Sequence, residues 1–465
     1  MFLFYFITSL FVTHSLYVPY SRRSYPPPNP EAAKSILHLQ ASGNTYKPYS
    51  FLGFSGTAGY SVVNQTTGSA LFYWQVNKLG LDINTDKVSP TPLVIWLEGG
   101  PGCASDMAVL EESGPWYVNV TTRGLEVRNQ TWAQDYHLLY IDAPTGVGFS
   151  VLASEDEYID TSQQYAQQVY TALQGMAEDH SSWFMPSRPL FLFGESYAGH
   201  WVPALGALIL KENAQIAVTG NLYLPLAGAG IGDAWTDPIN QIVGNADFAY
   251  AVGLINEEQR TNLSYYEQMS VASLNAGFLP EAAHNFNAVL DLLIYFTGDP
   301  SNNICGINIY NYREYCDYDF NHTIWLTNST NTALLGIPAN VLYNDCNMAL
   351  FHHMVADTAM SVAADVVYML QSVPMMLYTG QDDANVNIIV GENWLANLDW
   401  PGQEGYLNAP KYPWKVDDQV VGFARTYDKL TQVTVMKAGH LVVHDQCANS
   451  RDMLSRFISG KGFTD

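Results

Sequence analysis

The hexapeptide Gly194-Glu195-Ser196-Tyr197-Ala198-Gly199 directly follows a short, fully apolar run, Pro189-Leu190-Phe191-Leu192-Phe193. A run of that length with no polar alternation reads as a strand buried on both faces, as in a parallel sheet. A serine between such a strand and a following helix occupies a sharp corner that holds its hydroxyl exposed. Gly194 and Ala198 keep the corner small enough to close. The fifth position of the G-x-S-x-G pattern is Ala198 here, a mild departure.

A hydroxyl attacks an acyl carbon only when a base takes its proton and a carboxylate orients that base. Val373-Pro374-Met375-Met376-Leu377-Tyr378 reads as a second buried strand and runs into Thr379-Gly380-Gln381-Asp382-Asp383. Val433-Thr434-Val435-Met436 reads as a strand and ends at Lys437-Ala438-Gly439-His440. Both groups fall just past strand carboxyl ends, where open parallel sheets place their sites. The order Ser196, Asp383, His440 is one known order for such a triad. His444 competes with His440 but falls at the start of the closing helix. Asp382 competes with Asp383, and one of the two is expected to be a solvated loop carboxylate.

A tetrahedral intermediate also needs backbone N–H donors aimed at its oxyanion. Leu93-Val94-Ile95-Trp96-Leu97 reads as a strand and leads into Glu98-Gly99-Gly100-Pro101-Gly102-Cys103. Adjacent glycines let the main chain approach a substrate closely. The two donors expected are Gly100 N–H and Tyr197 N–H.

Strand patterns alternate with helical ones, which predicts an α/β architecture with a mostly parallel sheet flanked by helices. Residues 159–178 have helical spacing, with Thr161 or Ser162 as N-cap. Residues 445–460 read as a closing amphipathic helix. The 465 residues carry 44 acidic against 20 basic side chains, a net charge of −24. That balance argues against nucleic acid, whose phosphates need cationic contacts.

The first twelve residues are nearly all apolar but too short to span a bilayer. They read as a secretory signal over residues 1–15, with residues 16–45 as an N-terminal linker. No later segment reads as a membrane span. Six Asn-x-Ser/Thr sequons, at Asn64, Asn119, Asn129, Asn262, Asn321 and Asn328, fit that route. Five cysteines leave one thiol over in an oxidising compartment. No paired Cys/His spacing marks a zinc site, and no metal is expected.

Taken together, Trp96-Leu97-x-Gly99-Gly100-Pro101-Gly102-Cys103-x-Ser105, the Ser196 hexapeptide, Gly380-x-x-Asp383 and Gly439-His440 resemble the serine carboxypeptidases. So do Tyr140-Ile141-Asp142-Ala143-Pro144-Thr145-Gly146-Val147-Gly148-Phe149-Ser150 and Gly230-Ile231-Gly232-Asp233-Ala234-Trp235-Thr236-Asp237-Pro238. The likeness runs from Tyr46 to Gly462. Gly380-Gln381 and the closing Phe457-Ile458-Ser459-Gly460-Lys461-Gly462 are similar to the vitellogenic-like branch.

The resemblance implies an α/β-hydrolase fold, with core segments 46–233 and 346–465 and a mainly helical cap inserted over 234–345. It implies a serine-type carboxypeptidase that removes C-terminal residues through an acyl-enzyme at acid pH, without a cofactor. The substrates are peptide or protein C-termini, and a homodimer is left open. The implied location is the secretory pathway, ending in a lysosome-like or vacuole-like acidic compartment or outside the cell. By the same likeness, Glu195 and the residue at position 98 receive the substrate carboxylate, beside Gly99 and with Glu112 nearby. Leu441 lines the pocket for the leaving residue. Cys103 pairs with Cys346 and Cys305 with Cys316, leaving Cys447 free.

At position 98 the family most often has Asn, sometimes Gln, and this chain has Glu. A carboxylate receives another carboxylate only with a proton between them. Glu98 therefore predicts a cluster that tolerates substrate only when partly protonated, which favours acid pH. His440 must nonetheless be neutral to act as base, although an ordinary imidazole is mostly charged below pH ~6. The alternatives are an acyltransferase or esterase using the same acyl-enzyme, and a non-catalytic scaffold.

Overall fold

The computed structural model describes residues 27–464 except 303, 315, 317 and 319. The expected signal segment lies outside the described residues.

Thirteen strands form among the described residues. They are β1 (Tyr46–Phe51), β2 (Phe54–Val62), β3 (Ala70–Val76), β4 (Leu93–Leu97), β5 (Trp116–Val118), β6 (Leu125–Val127), β7 (His137–Asp142), β8 (Leu190–Glu195), β9 (Leu226–Gly232), β10 (Met375–Gly380), β11 (Tyr412–Val416), β12 (Gln419–Tyr427) and β13 (Leu430–Val435). β5 and β6 make a small hairpin; the other eleven form one sheet, ordered β1-β2-β3-β7-β4-β8-β9-β10-β13-β12-β11. The six central strands from β7 to β13 run parallel. The strands outside them pair antiparallel.

The apolar runs at 93–97, 190–193 and 375–378 are strands because each side chain finds cover on one face or the other. Leu93, Ile95, Leu97, Leu190, Leu192, Met375 and Leu377 join one hydrophobic layer. Val94, Trp96, Phe191, Phe193, Met376 and Tyr378 join the other. A strand's period of two sends alternate residues to opposite faces, and helices cover both. Truncating Phe193 to Ala in such a core would cost about 3–5 kcal/mol.

One flanking helix spans Ser162–Asp179, opened by a capping box in which Thr161 and Gln164 satisfy each other's backbone N–H groups. Another, Ala198–Asn213, follows the elbow serine and is buried along most of its length. The C-terminal end is two pieces, Val442–Asp445 and Cys447–Ser459, with Gly460 in a left-handed cap.

Residues 16–45, expected as a linker, include a helix, Pro30–Ala41, and this corrects the reading. Asn29 caps it, Pro30 sits at its first position where no N–H is needed, and Ala32, Ala33 and Ile36 are buried. The proline-rich approach resembles an extended linker while supplying a helix start.

Between β9 and β10 the chain leaves the sheet. Helices Asn245–Ala251, Glu257–Asn275 and Leu279–Thr297 pack around Phe248, Leu263, Val289 and Leu293. Shorter turns follow, and Cys305 is bonded to Cys316 within them.

Candidate active site

β4, β8, β9, β10 and β13 are consecutive neighbours in the sheet and run parallel, so their carboxyl ends open side by side. The loops after them carry Glu98–Gly100, Ser196, Asp233, Asp383 and His440. Residues scattered over 343 positions of sequence thus meet along one sheet edge (98 to 440).

Ser196 has φ +62°, a left-handed conformation that costs a non-glycine residue about 1 kcal/mol or more. Neighbouring groups hold it there. Ser196 N–H donates to Gly232 O at 2.8 Å, and Ser196 O accepts from Gly199 N–H and Trp235 N–H at 2.9 and 3.0 Å. A side chain at Gly194 would come within 2.2 Å of Leu97 O and 2.6 Å of Ala198 Cβ, which is why the corner needs its small residues. Ser196 is only half buried, whereas its neighbours Glu195 and Tyr197 are buried.

His440 Nδ1 is 2.8 Å from Asp383 Oδ2, and both side chains are buried. Asp383 also accepts from Asn385 N–H at 2.7 Å and Val386 N–H at 3.1 Å. His440 Nε2 is buried and has no hydrogen-bond partner among the described residues. Residues that follow the helices between β9 and β10 pack on this loop. Tyr310 O accepts from His440 N–H at 2.5 Å, the Tyr310 ring lies 5.0 Å from the imidazole, and Tyr312 N–H donates to Asp382 O at 3.0 Å.

Of the two competing carboxylates, Asp382 is not solvated. It is buried and ion-paired with Arg313 at 3.3 Å, which corrects the expectation of an exposed loop group. His444 lies on the short helix Val442–Asp445 and is bonded to Asp445 at 2.9 Å.

The loop after β4 is held against the elbow. A Cβ at Gly99 would lie 2.8 Å from Ser196 Cβ and 2.9 Å from Tyr197 N. Cys103 is bonded to Cys346, and Ala104 N–H and Gly102 O pair with Asp345 O and Asn347 N–H at 2.8 and 2.9 Å. Among the described residues, no hydrogen bond uses Gly100 N–H or Tyr197 N–H. Both amides are free to serve a ligand oxygen.

Three glutamates form a buried floor beside this edge. Glu98 accepts from Gly99 N–H and Trp96 Nε1–H, both at 3.0 Å. Burial raises its pKa, partly offset by those donors. Burial, then repulsion from Glu195 and Glu98, pushes Glu112 well above the ordinary carboxylate range. Burial, then Glu98, does the same to Glu195, whose Oε1 lies 3.5 Å from Tyr378 OH. Neither Glu112 oxygen receives a hydrogen bond from an N–H or hydroxyl among the described residues. Acceptor-only oxygens crowded in this way share protons and titrate as a group. Leu441, next to His440, is also buried.

Sequence reasoning gave no role to Asp233. Donor atoms of Asp233, Asp383 and His440 all lie within 4.8 Å of one another. Burial, then Asp383 and Glu195, raises Asp233 well above the ordinary range, while Gly380 N–H holds its Oδ1 at 2.9 Å. Its place at the end of β9, in a segment already matched to the family, was the available signal.

Elsewhere, Cys447 is a free thiol that donates to Gln130 O at 3.1 Å. Sequon residues Asn129, Asn262 and Asn328 are exposed, and Asn64, Asn119 and Asn321 are half buried. No described helix is long and apolar enough to cross a membrane.

The serine carboxypeptidase family model matches residues 47–460. Serine carboxypeptidase-like 50 of Arabidopsis thaliana is 33% identical over 409 residues, covering 87% of this chain and 88% of that protein. The probable serine carboxypeptidase CPVL of Homo sapiens is 30% identical over 432 residues, covering 90% and 86%. The structure of Kex1(Δ)p, a prohormone-processing carboxypeptidase from Saccharomyces cerevisiae, superposes with a TM-score of 0.76 at 24% identity. That match covers 87% of this chain and 91% of the other, and bears on the fold alone. The strand-end geometry and the family match agree: this chain belongs to the serine carboxypeptidases, serine-type hydrolases with an α/β-hydrolase fold that work through an acyl-enzyme.

Proposed function

We propose that this chain removes C-terminal residues from peptides in an acidic compartment of the secretory pathway or after secretion, with Ser196, His440 and Asp383 as its triad. The observation that carries this is the buried Asp383–His440 pair beside the strained Ser196 corner, with His440 Nε2 left unpartnered. In the first step His440 Nε2 takes the Ser196 proton as Oγ bonds to the scissile carbon. Gly100 N–H and Tyr197 N–H receive the oxyanion. The imidazolium then gives its proton to the leaving amine, and water repeats the sequence on the acyl-enzyme.

The floor glutamates set the direction of cleavage. With protons on Glu112 and Glu195, the cluster can donate hydrogen bonds to a substrate carboxylate. Glu98 makes that acceptance more acid-dependent than an amide would. Residues 46–233 and 346–465 act as the core, and 234–345 as the cap. Leu441 favours an apolar leaving residue. The six sequons carry glycans.

A fluorophosphonate should label Ser196. Ser196→Ala should abolish labelling and lower hydrolysis of a blocked dipeptide roughly 10⁴–10⁶-fold. Labelling without dipeptide hydrolysis, but with acyl transfer to an alcohol, would favour the acyltransferase instead.

A further inference from the structure

His200, the third residue of the helix that follows Ser196, is fully buried, and its two ring nitrogens both face backbone carbonyls. Nδ1 lies 2.6 Å from Trp235 O and Nε2 lies 2.9 Å from Met360 O. A neutral imidazole carries one N–H and can donate to only one of them, leaving a lone pair against the other carbonyl. Only the imidazolium satisfies both.

The group that balances such a charge is close. Asp357, also buried, accepts from Tyr197 OH at 2.7 Å and Ser162 N–H at 3.2 Å, and from the Ser162 hydroxyl. The Tyr197 ring stacks on the imidazole, centroids 4.4 Å apart and planes 10° from parallel. These contacts lead back to the elbow. Trp235, whose carbonyl His200 grips, donates its own N–H to Ser196 O at 3.0 Å. Tyr197 holds one of the two amides offered to the oxyanion.

We propose that His200 is a positioning residue for the elbow, bracing Ser196 through the Trp235 peptide and Tyr197 through ring stacking, and that the brace is complete only while the imidazole is doubly protonated. This rests on the reading of Ser196 and Tyr197 given above. The charged side chain facing His200 is Asp357, on the turn Asp357–Ala359; the Tyr197 ring and the Trp235, Met360 and Asp357 carbonyls also face it. Burial lowers the imidazole's pKa from its ordinary value, against the pull of Asp357 and those carbonyls. The second donor is therefore lost at a lower pH than in an ordinary imidazole. One carbonyl is then left facing a lone pair, and the segment holding Ser196 loosens.

Two measurements test this. In the ¹⁵N-histidine-labelled full chain at pH 4, the ring with NOEs to Tyr197 should show two slowly exchanging N–H groups, one disappearing by pH 8. A neutral ring at pH 4 would overturn the proposal without a variant having to fold. The second compares kcat for a blocked dipeptide in wild type and His200→Gln, whose side chain does not titrate. Wild type should be faster by about tenfold at pH 4, with the ratio falling towards one at pH 8. The same ratio at every pH would reduce His200 to ordinary packing and sink the brace. Ser196→Ala reports separately on the catalytic reading: if that variant stays active, the triad is wrong, whatever His200 does.

Discussion

Two of the buried charge clusters among the described residues are stabilised in opposite ways. At the amino ends of β4 and β8, Arg188 is fully buried and donates to Asp86 Oδ2, Asp86 O, Thr91 O, Ile83 O and Ser182 O at 2.6–3.2 Å. Asp86 answers with further bonds from Thr91 N–H at 2.7 Å and to His137 at 3.3 Å. Burial pushes the Asp86 carboxyl up, but these partners outweigh it and hold it below the ordinary range. At the carboxyl-end side of the same strands, Glu98, Glu112 and Glu195 are equally buried and make no ion pair among the described residues; their pKa values rise, that of Glu112 against a lesser pull from Arg128. One end holds its carboxylate charged with a partner; at the other, burial and mutual repulsion favour the protonated form. Only the second arrangement leaves acceptors and donors uncommitted for a ligand, and only the second ties the fold to acid.

The largest effect should come from breaking the partnered cluster. Arg188→Ala strands Asp86 and several carbonyls, and should cost about 3–5 kcal/mol of stability in denaturant titration. The loss should be similar at pH 5 and pH 7, since Arg188 does not titrate there.

Protonated clusters should behave otherwise. Behind the loop after β4, Asp106 and Asp142 face each other, both buried. Asp142 accepts from Asp106 N–H at 3.1 Å and Phe149 N–H at 2.8 Å, while the Asp106 oxygens have no N–H or hydroxyl donor among the described residues. Burial pushes Asp142 up to about 7, and burial with repulsion from Asp142 pushes Asp106 well up. A folded-state value above the unfolded one means the folded state binds more protons. Stability is then fully present below the unfolded value near 4, and is lost as pH rises through the folded value. Wild type should thus unfold more readily at pH 8 than at pH 5. Asp106→Asn supplies an N–H₂ donor to Asp142 in place of a shared proton. It should leave stability at pH 4 unchanged and raise it by about 1–2 kcal/mol at pH 8.

Much of the site was legible in the sequence because its carriers sit where patterns change. Apolar runs without alternation marked strands covered on both faces, and Ser196, Asp383 and Gly100 each follow such a run, while His440 follows the run Val433-Thr434-Val435-Met436 with its single Thr434. Glu112 was aligned to the site only by family likeness, since nothing in its own neighbourhood marks a buried carboxyl. The His200 network was not legible at all. Its partners Trp235, Met360 and Asp357 are brought in from far along the chain, and two of them contribute only carbonyls, which have no sequence identity. The helix Pro30–Ala41 was missed because a proline at the first helical position looks the same as one in a linker.

Smaller effects sharpen the contrast. Glu98→Asn should extend dipeptide hydrolysis to higher pH by about one unit in a profile from pH 4 to 8, since one titrating member of the floor is gone. An unchanged alkaline limb would mean that Glu98 does not govern substrate entry. Thr161→Ala removes the N-cap of the helix Ser162–Asp179, a cap that carries no titrating group, and should cost about 1 kcal/mol with no pH dependence.

The central claim is that a proton-bearing carboxyl floor beside Ser196 receives the free end of a peptide. Its most direct test is kcat/KM for one blocked dipeptide at pH 5, measured as the free acid and as the C-terminal amide. The account predicts that the acid is preferred by about tenfold or more, as expected for a charge-assisted hydrogen bond. Equal or faster cleavage of the amide would contradict it.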